Sequence, residues 1–159
     1  DLLGRRFVAG FFEQISQVDS RFLLGSVNWI GQAVPFHCSA LGKVFLAHGV
    51  NVLPKGRLER RAERTITSRD RLEIDLQVTR QRGYAIADSE LEPGLVAVAS
   101  PVFGAAGTVI AAVSVSGPSA RLTRDRLPEV GQLLIEETTE ISAQLGATRR
   151  DRPRRLRAR

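Results

Sequence analysis

Cysteine is nearly missing from this sequence, and Cys38 is its only representative. A single thiol excludes an internal disulfide and a cysteine-built metal site, and it fits a reducing compartment such as the cytoplasm. Histidine is almost as scarce, His37 and His48 being the two present, so imidazole chemistry has few places to occur. Seven Phe, one Trp and one Tyr make a thin aromatic supply, and no stripe of Lys and Arg interleaves with them as a nucleic-acid surface would. No run approaches the roughly 20 apolar residues of a membrane span, and the opening DLLGRRFVAG lacks the layout of a secretion signal. Neither a Gly-rich phosphate loop nor an internal repeat occurs.

What is present has the size and composition of one globular domain: 159 residues, 43% hydrophobic and 25% charged. The net charge of +6 is confined to the end of the chain. From Ala147 onward there are seven arginines and one aspartate, and the rest holds 16 basic and 16 acidic residues. Residues 1–146 therefore form a neutral domain, and residues 147–159 a basic tail expected to stay disordered and solvated, with nonspecific phosphate contact as its other reading.

Residues 6–15 and 22–27 are strand-like runs on either side of a polar turn at residues 17–20. Ser39 is placed to cap a helix through Ala47, with Gly49 to close it. Residues 53–64 suggest a basic helical turn or two, and residues 65–67 a brief extended stretch. Ser68 starts a second helix with Leu72, Leu76 and Thr79 on one side and Gly83 as its stop, before a short strand over Tyr84, Ala85 and Ile86. Thr123 begins a long helix with Leu127, Val130, Leu133, Leu134, Ile141 and Leu145 apolar, ending at Gly146. The order of elements predicts an α+β fold with an antiparallel sheet and flanking helices.

Residues 95–117 predict a β-hairpin. Pairing Phe103 with Thr108 would set Ala99 opposite Ala112, Ala97 opposite Ser114 and Leu95 opposite Ser116, on one face. Val96, Val98, Val102, Val109, Val113 and Val115 would form the other, core-facing side. A sheet face of Ala and Ser leaves space that either a close helix or a ligand must fill.

Chemistry has few other footholds. His37 adjoins Cys38, yet neighbours in sequence point different ways, and no orienting carboxylate is at hand, so an enzyme is not expected. The string Asp88, Glu90, Glu92 has neither a histidine nor a calcium-loop glycine, so no metal or cofactor is expected.

PFHCSALGKVFLA at residues 35–47 resembles the loop and glycine-lysine helix of the effector domain of IclR-family regulators. RGYAIADSELEPGLVAVASPVF (82–103) and VIAAVSVSGPSARLTRDRL (109–127) are similar to that family's second half, and the resemblance runs from about Phe7 to Gly146. It implies a GAF-like or profilin-like sensor that binds a small molecule and forms dimers or tetramers. It further implies that a winged helix-turn-helix, absent from this sequence, reads DNA. The positions matching the family's pocket are Leu23, Val34, Ala40, Leu41, Asp88, Leu95, Ala97, Ser114 and Ser116. Ala87 stands where many relatives place the first of two acids, and Ala97 where some carry a cysteine. Both departures suggest an apolar effector such as an aromatic acid. The competing reading is a free-standing small-molecule binding or scaffolding domain with no DNA partner.

Overall fold

The computed structural model describes residues 11–12, 34–50, 53 and 55–148. Strand β1 (Phe11–Phe12) pairs antiparallel with β2 (Val34–Pro35). The remainder of the two N-terminal strand-like runs, and all but the first residues of the basic tail, lie outside the described residues.

Helix α1 (Ala40–Ala47) starts where Ser39 can cap it: the hydroxyl accepts from the Gly42 amide and donates to Pro35 O. Gly49 leaves it at φ +67°. Residues 55–68 are irregular, not helical as their composition suggested. The Thr65 hydroxyl accepts from the Arg61 and Ala62 amides, taking donors that a helix would have used, and Leu58, Ala62 and Thr65 turn inward. Helix α2 (Arg69–Arg82) buries Leu72, Leu76 and Thr79, is capped by Ser68 and ends on a left-handed Gly83.

Strands β3 (Ala85–Asp88), β4 (Leu95–Phe103) and β5 (Val109–Pro118) form an antiparallel sheet in that order. The hairpin's register differs from the expected one by two residues: Ala99 faces Ser114, Ala97 faces Ser116 and Leu95 faces Pro118. The cause is a bulge beyond a turn closed by Gly104 N donating to Thr108 O, so that Phe103 pairs with Val109 and Ile110 has no partner opposite. A slip of two leaves every residue of 111–118 on its expected face, because side chains alternate with period two. The bulge itself moves Val109 across to the alanine side, where it packs with Ala85, Ala99 and Phe103.

Helix α3 (Leu127–Gln144), entered through a 3-10 turn at Arg124–Arg126, covers β4 on the valine side. Thr123 stands at the start but makes no side-chain capping bond to the turn. The buried stripe is Leu127, Gly131, Leu134, Ile135, Thr138 and Ser142, whereas Leu133, Ile141 and Leu145, expected in the core, are exposed. Small residues alternate with Leu127, Leu134 and Ile135 on the inner face because the helix comes very close at Gly131, where a Cβ would lie 2.6 Å from the Tyr84 ring. Hydroxyls then finish the polar accounting, Ser100 Oγ donating to Gly83 O and the Phe103 amide donating to Ser142 Oγ. With α3 lying over β4, the valine side is core only at Val96, Val98 and Val102, while Val113 and Val115 on β5 remain 37% and 45% exposed.

Candidate functional site

The alanine face of the sheet is divided. Ala40 and Val44 of α1 press onto Ala85, Ala87, Ala99 and Phe103, all buried, so small residues here serve close helix packing. Toward the other end Ala97 and Leu95 are half-buried and Ser114 and Ser116 exposed. Leu41 borders both this cluster and the one that contains Val34. Ala97, Ser114 and Ser116 are therefore the least covered small side chains on this face.

Of the positions matching the family's pocket, Ala40, Leu41 and Ala97 share one cluster, with Ser114 and Ser116 on the same face by register. Val34 is buried one layer away beside Leu41, and Leu95 lies at the face's end. Leu23 lies outside the described residues.

Asp88 is not brought to this face. Ala85 and Ala87 belong to the alanine side and Ile86 packs with Val96 and Val98, so alternation turns Asp88 to the helix α3 side. There its Oδ2 receives Arg64 Nη1 and Arg124 Nε, each at 3.0 Å. The β3 residue on the alanine side is Ala87, buried under α1. Two-residue alternation from Ala85 was the signal that could have found it.

The glycine-lysine pair has a plain physical reading. A Cβ on Gly42 would fall 2.3 Å from Phe36 Cα and 2.4 Å from its carbonyl oxygen, so the chain before α1 lies against bare backbone. Lys43 is fully buried and its ammonium meets Glu90 Oε1 at 2.7 Å, Asp75 Oδ2 at 2.9 Å and Ile86 O at 3.1 Å. This joins α1 to α2 and to the β3–β4 loop, and Thr65 Oγ1 adds a bond to Glu90 O at 2.6 Å. The acidic string is thereby split, Asp88 serving arginines on one face and Glu90 serving Lys43 inside.

Burial raises the Glu90 carboxyl above its usual range, and the Lys43 charge offsets this only in part. The folded protein thus holds the Glu90 proton more tightly than the unfolded chain. That contribution to stability is complete below the ordinary value of 4.5 and is lost as pH rises through the raised one. Glu90→Gln should flatten this part of the pH dependence, and urea midpoints measured from pH 4.5 upward would check it.

Cys38 is completely buried, and desolvation, assisted by Glu90, pushes its thiol up to about 12, so it stays protonated and non-nucleophilic at neutral pH. His37 Nε2 lies 2.8 Å from Glu59 O, which ties the ring to a backbone carbonyl. Their adjacency makes no dyad.

The family model for the bacterial transcriptional regulator IclR C-terminal domain matches residues 12–143. The chain belongs to the IclR family. It is 37% identical over 137 residues to the HTH-type transcriptional regulator KdgR of Escherichia coli, a match covering 83% of this chain and 52% of that protein. The chain spans about half the length of the curated relatives it matches. The crystal structure of the C-terminal domain of that KdgR is similar, with TM-score 0.66 and 36% identity over 78% of this chain and 79% of the other. The PobR inducer-binding domain from Acinetobacter, solved as a double mutant with 3-hydroxybenzoic acid, matches at TM-score 0.63 and 30% identity, covering 71% and 68% of the two chains.

These matches establish the GAF-like α+β fold that the motifs suggested, and the relatives are transcription regulators rather than enzymes. Within this IclR C-terminal domain the divided alanine face now has a context. The half under α1 is core, and the other half carries the exposed Ser114 and Ser116. No helix among the described residues is long and apolar enough to cross a membrane.

Proposed function

We propose that this domain is the effector-sensing and oligomerising half of a cytoplasmic transcription regulator, and that it binds a small apolar acid in the recess between α1 and the open end of the hairpin. One observation carries the reading: on a sheet face of small residues partly covered by α1, Ser114 and Ser116 stay exposed and Ala97 only half-buried. A natural core would have filled that space. Leu41, Leu95 and Ala97 supply apolar walls, and the two serine hydroxyls can orient a carboxylate or hydroxyl.

The bound neighbour supports an aromatic acid as the class, since the PobR domain was solved with 3-hydroxybenzoic acid and this recess has methyl groups where a polar site would have acids. DNA is contacted by a winged helix-turn-helix outside these 159 residues, and the effector acts by linkage. If it binds one arrangement of a homodimer or tetramer better, it shifts that population and with it the spacing of the DNA-binding domains.

Calorimetric titration with 3-hydroxybenzoate and with pyruvate tests the class. The aromatic acid should bind more tightly, and Ala97→Phe, which fills the recess, should weaken it at least about tenfold with the melting temperature little changed. Tighter binding of the keto acid, or indifference to Ala97→Phe, would count against the reading.

A further inference from the structure

The opposite face of the sheet carries a concavity. It is an open cleft of about 390 Å³ lined by Arg64, Asp88, Ser89, Val96, Ser119, Leu122, Thr123 and Arg124. Val96 and Ala97 are neighbours on β4, so this cleft and the recess lie on opposite sides of the same strand.

Its charges do not balance. Two guanidinium groups converge on one oxygen, Asp88 Oδ2, at 3.0 Å each, while Asp88 Oδ1 takes only the Ser89 hydroxyl at 3.2 Å. One carboxylate against two arginines leaves a net positive charge. Each guanidinium has five N–H donors in a planar fork and offers the same oxygen one of its nitrogens. Arg64 and Arg124 are 48% and 70% exposed, so the spare donors are reachable. Around them stand the hydroxyls of Ser89, Ser119 and Thr123, and Val96 and Leu122 provide an apolar floor.

The wall is also held in an unusual shape. Ser89 has φ +57°, the single non-glycine residue in the left-handed region among the described residues. Its amide donates to Leu95 O at 2.8 Å and its hydroxyl accepts from Gly94 N at 3.2 Å. These bonds hold the residue against a backbone preference of about 1–2 kcal/mol. The same turn presents the Ser89 side chain to the cleft and to Asp88.

We infer that this cleft is a second ligand site that takes the carboxylate of a small organic acid between Arg64 and Arg124, with Asp88 acting as an internal competitor for the same donors. The acid's apolar part rests on Val96 and Leu122. The volume lies within the span of small-molecule sites, and paired arginines suit a planar carboxylate held by parallel N–H bonds.

The test uses the full chain carrying Ala97→Phe, which closes the recess, titrated calorimetrically with benzoate and with inorganic phosphate at constant ionic strength. Benzoate should still bind, more tightly than phosphate. Adding Arg124→Gln should weaken it about tenfold, the loss expected for one charge-assisted hydrogen bond. Adding Asp88→Asn instead should tighten it about fivefold, because both arginines lose their resident anion. The inference is overturned if benzoate does not bind the recess-blocked chain, if Arg124→Gln leaves binding unchanged, or if Asp88→Asn weakens it. It is overturned equally if phosphate binds as tightly as benzoate, since the cleft would then read charge without shape. None of these outcomes depends on whether the unblocked recess binds an effector.

Discussion

Gly42→Ala should destabilise the domain by more than about 3 kcal/mol, the upper range for forcing extra volume into a packed interior. The added methyl would meet Phe36 Cα, O and C at 2.3, 2.4 and 2.7 Å, and backbone cannot swing aside as a side chain can. Relief would require the segment from Pro35 to Ser39 to lift off α1, which would also break the Ser39 cap and expose Phe36 and Cys38. Alanine's better helix propensity returns at most about 1 kcal/mol, far too little to reverse the sign. Against a usual total of about 5–15 kcal/mol, much of the stability would be gone. Thermal unfolding by circular dichroism is the check, and an unchanged midpoint would mean that Phe36 does not lie on α1 as described.

Lys43→Met should cost about 3–5 kcal/mol at neutral pH, the range for breaking a buried ion pair from one side. Methionine nearly restores the volume, so the loss reports charge: Glu90 and Asp75 keep their places around a site with no ammonium. Asp75 is 26% exposed and can recover water, but Glu90 at 10% cannot, so Glu90 dominates the effect. Two further results should follow. The loss should shrink as pH falls, because a raised Glu90 carboxyl accepts a proton readily, and Glu90→Gln in the Lys43→Met background should recover part of it. Equal urea midpoints for Lys43→Met and the unaltered protein would show that the triad contributes nothing. Lys43→Arg should fail as well, since a planar fork does not fit the space built around a compact ammonium.

These two residues show why a family's signature can be visible in a sequence while its meaning is not. Gly-Lys at the start of an apolar helix suggests nothing about Phe36 or Glu90, because both partners are assembled by the fold. Glu90 is 47 residues away from Lys43 in the chain.

What the chain alone determined is local and periodic. Ser39 and Ser68 as caps, Gly49 and Gly83 as stops, the buried Leu72, Leu76 and Thr79, and the two faces of the hairpin follow from hydrogen bonding within a few residues and from repeats of two or nearly four. Tertiary structure decided the rest. The hairpin register slipped by two because alternation specifies a face and not an offset, and a bulge beyond the Gly104 turn chose the offset. Helix α3 buried Gly131, Thr138 and Ser142 in place of Leu133, Ile141 and Leu145, because Gly131 lies close against the Tyr84 ring. Asp88 faced two arginines from distant segments in place of the recess, because the side on which a strand's last residue emerges is set by its pairing with β4. The contacts that decided the inner face of α3 and the partners of Asp88 join residues far apart in sequence, and no local pattern encodes them.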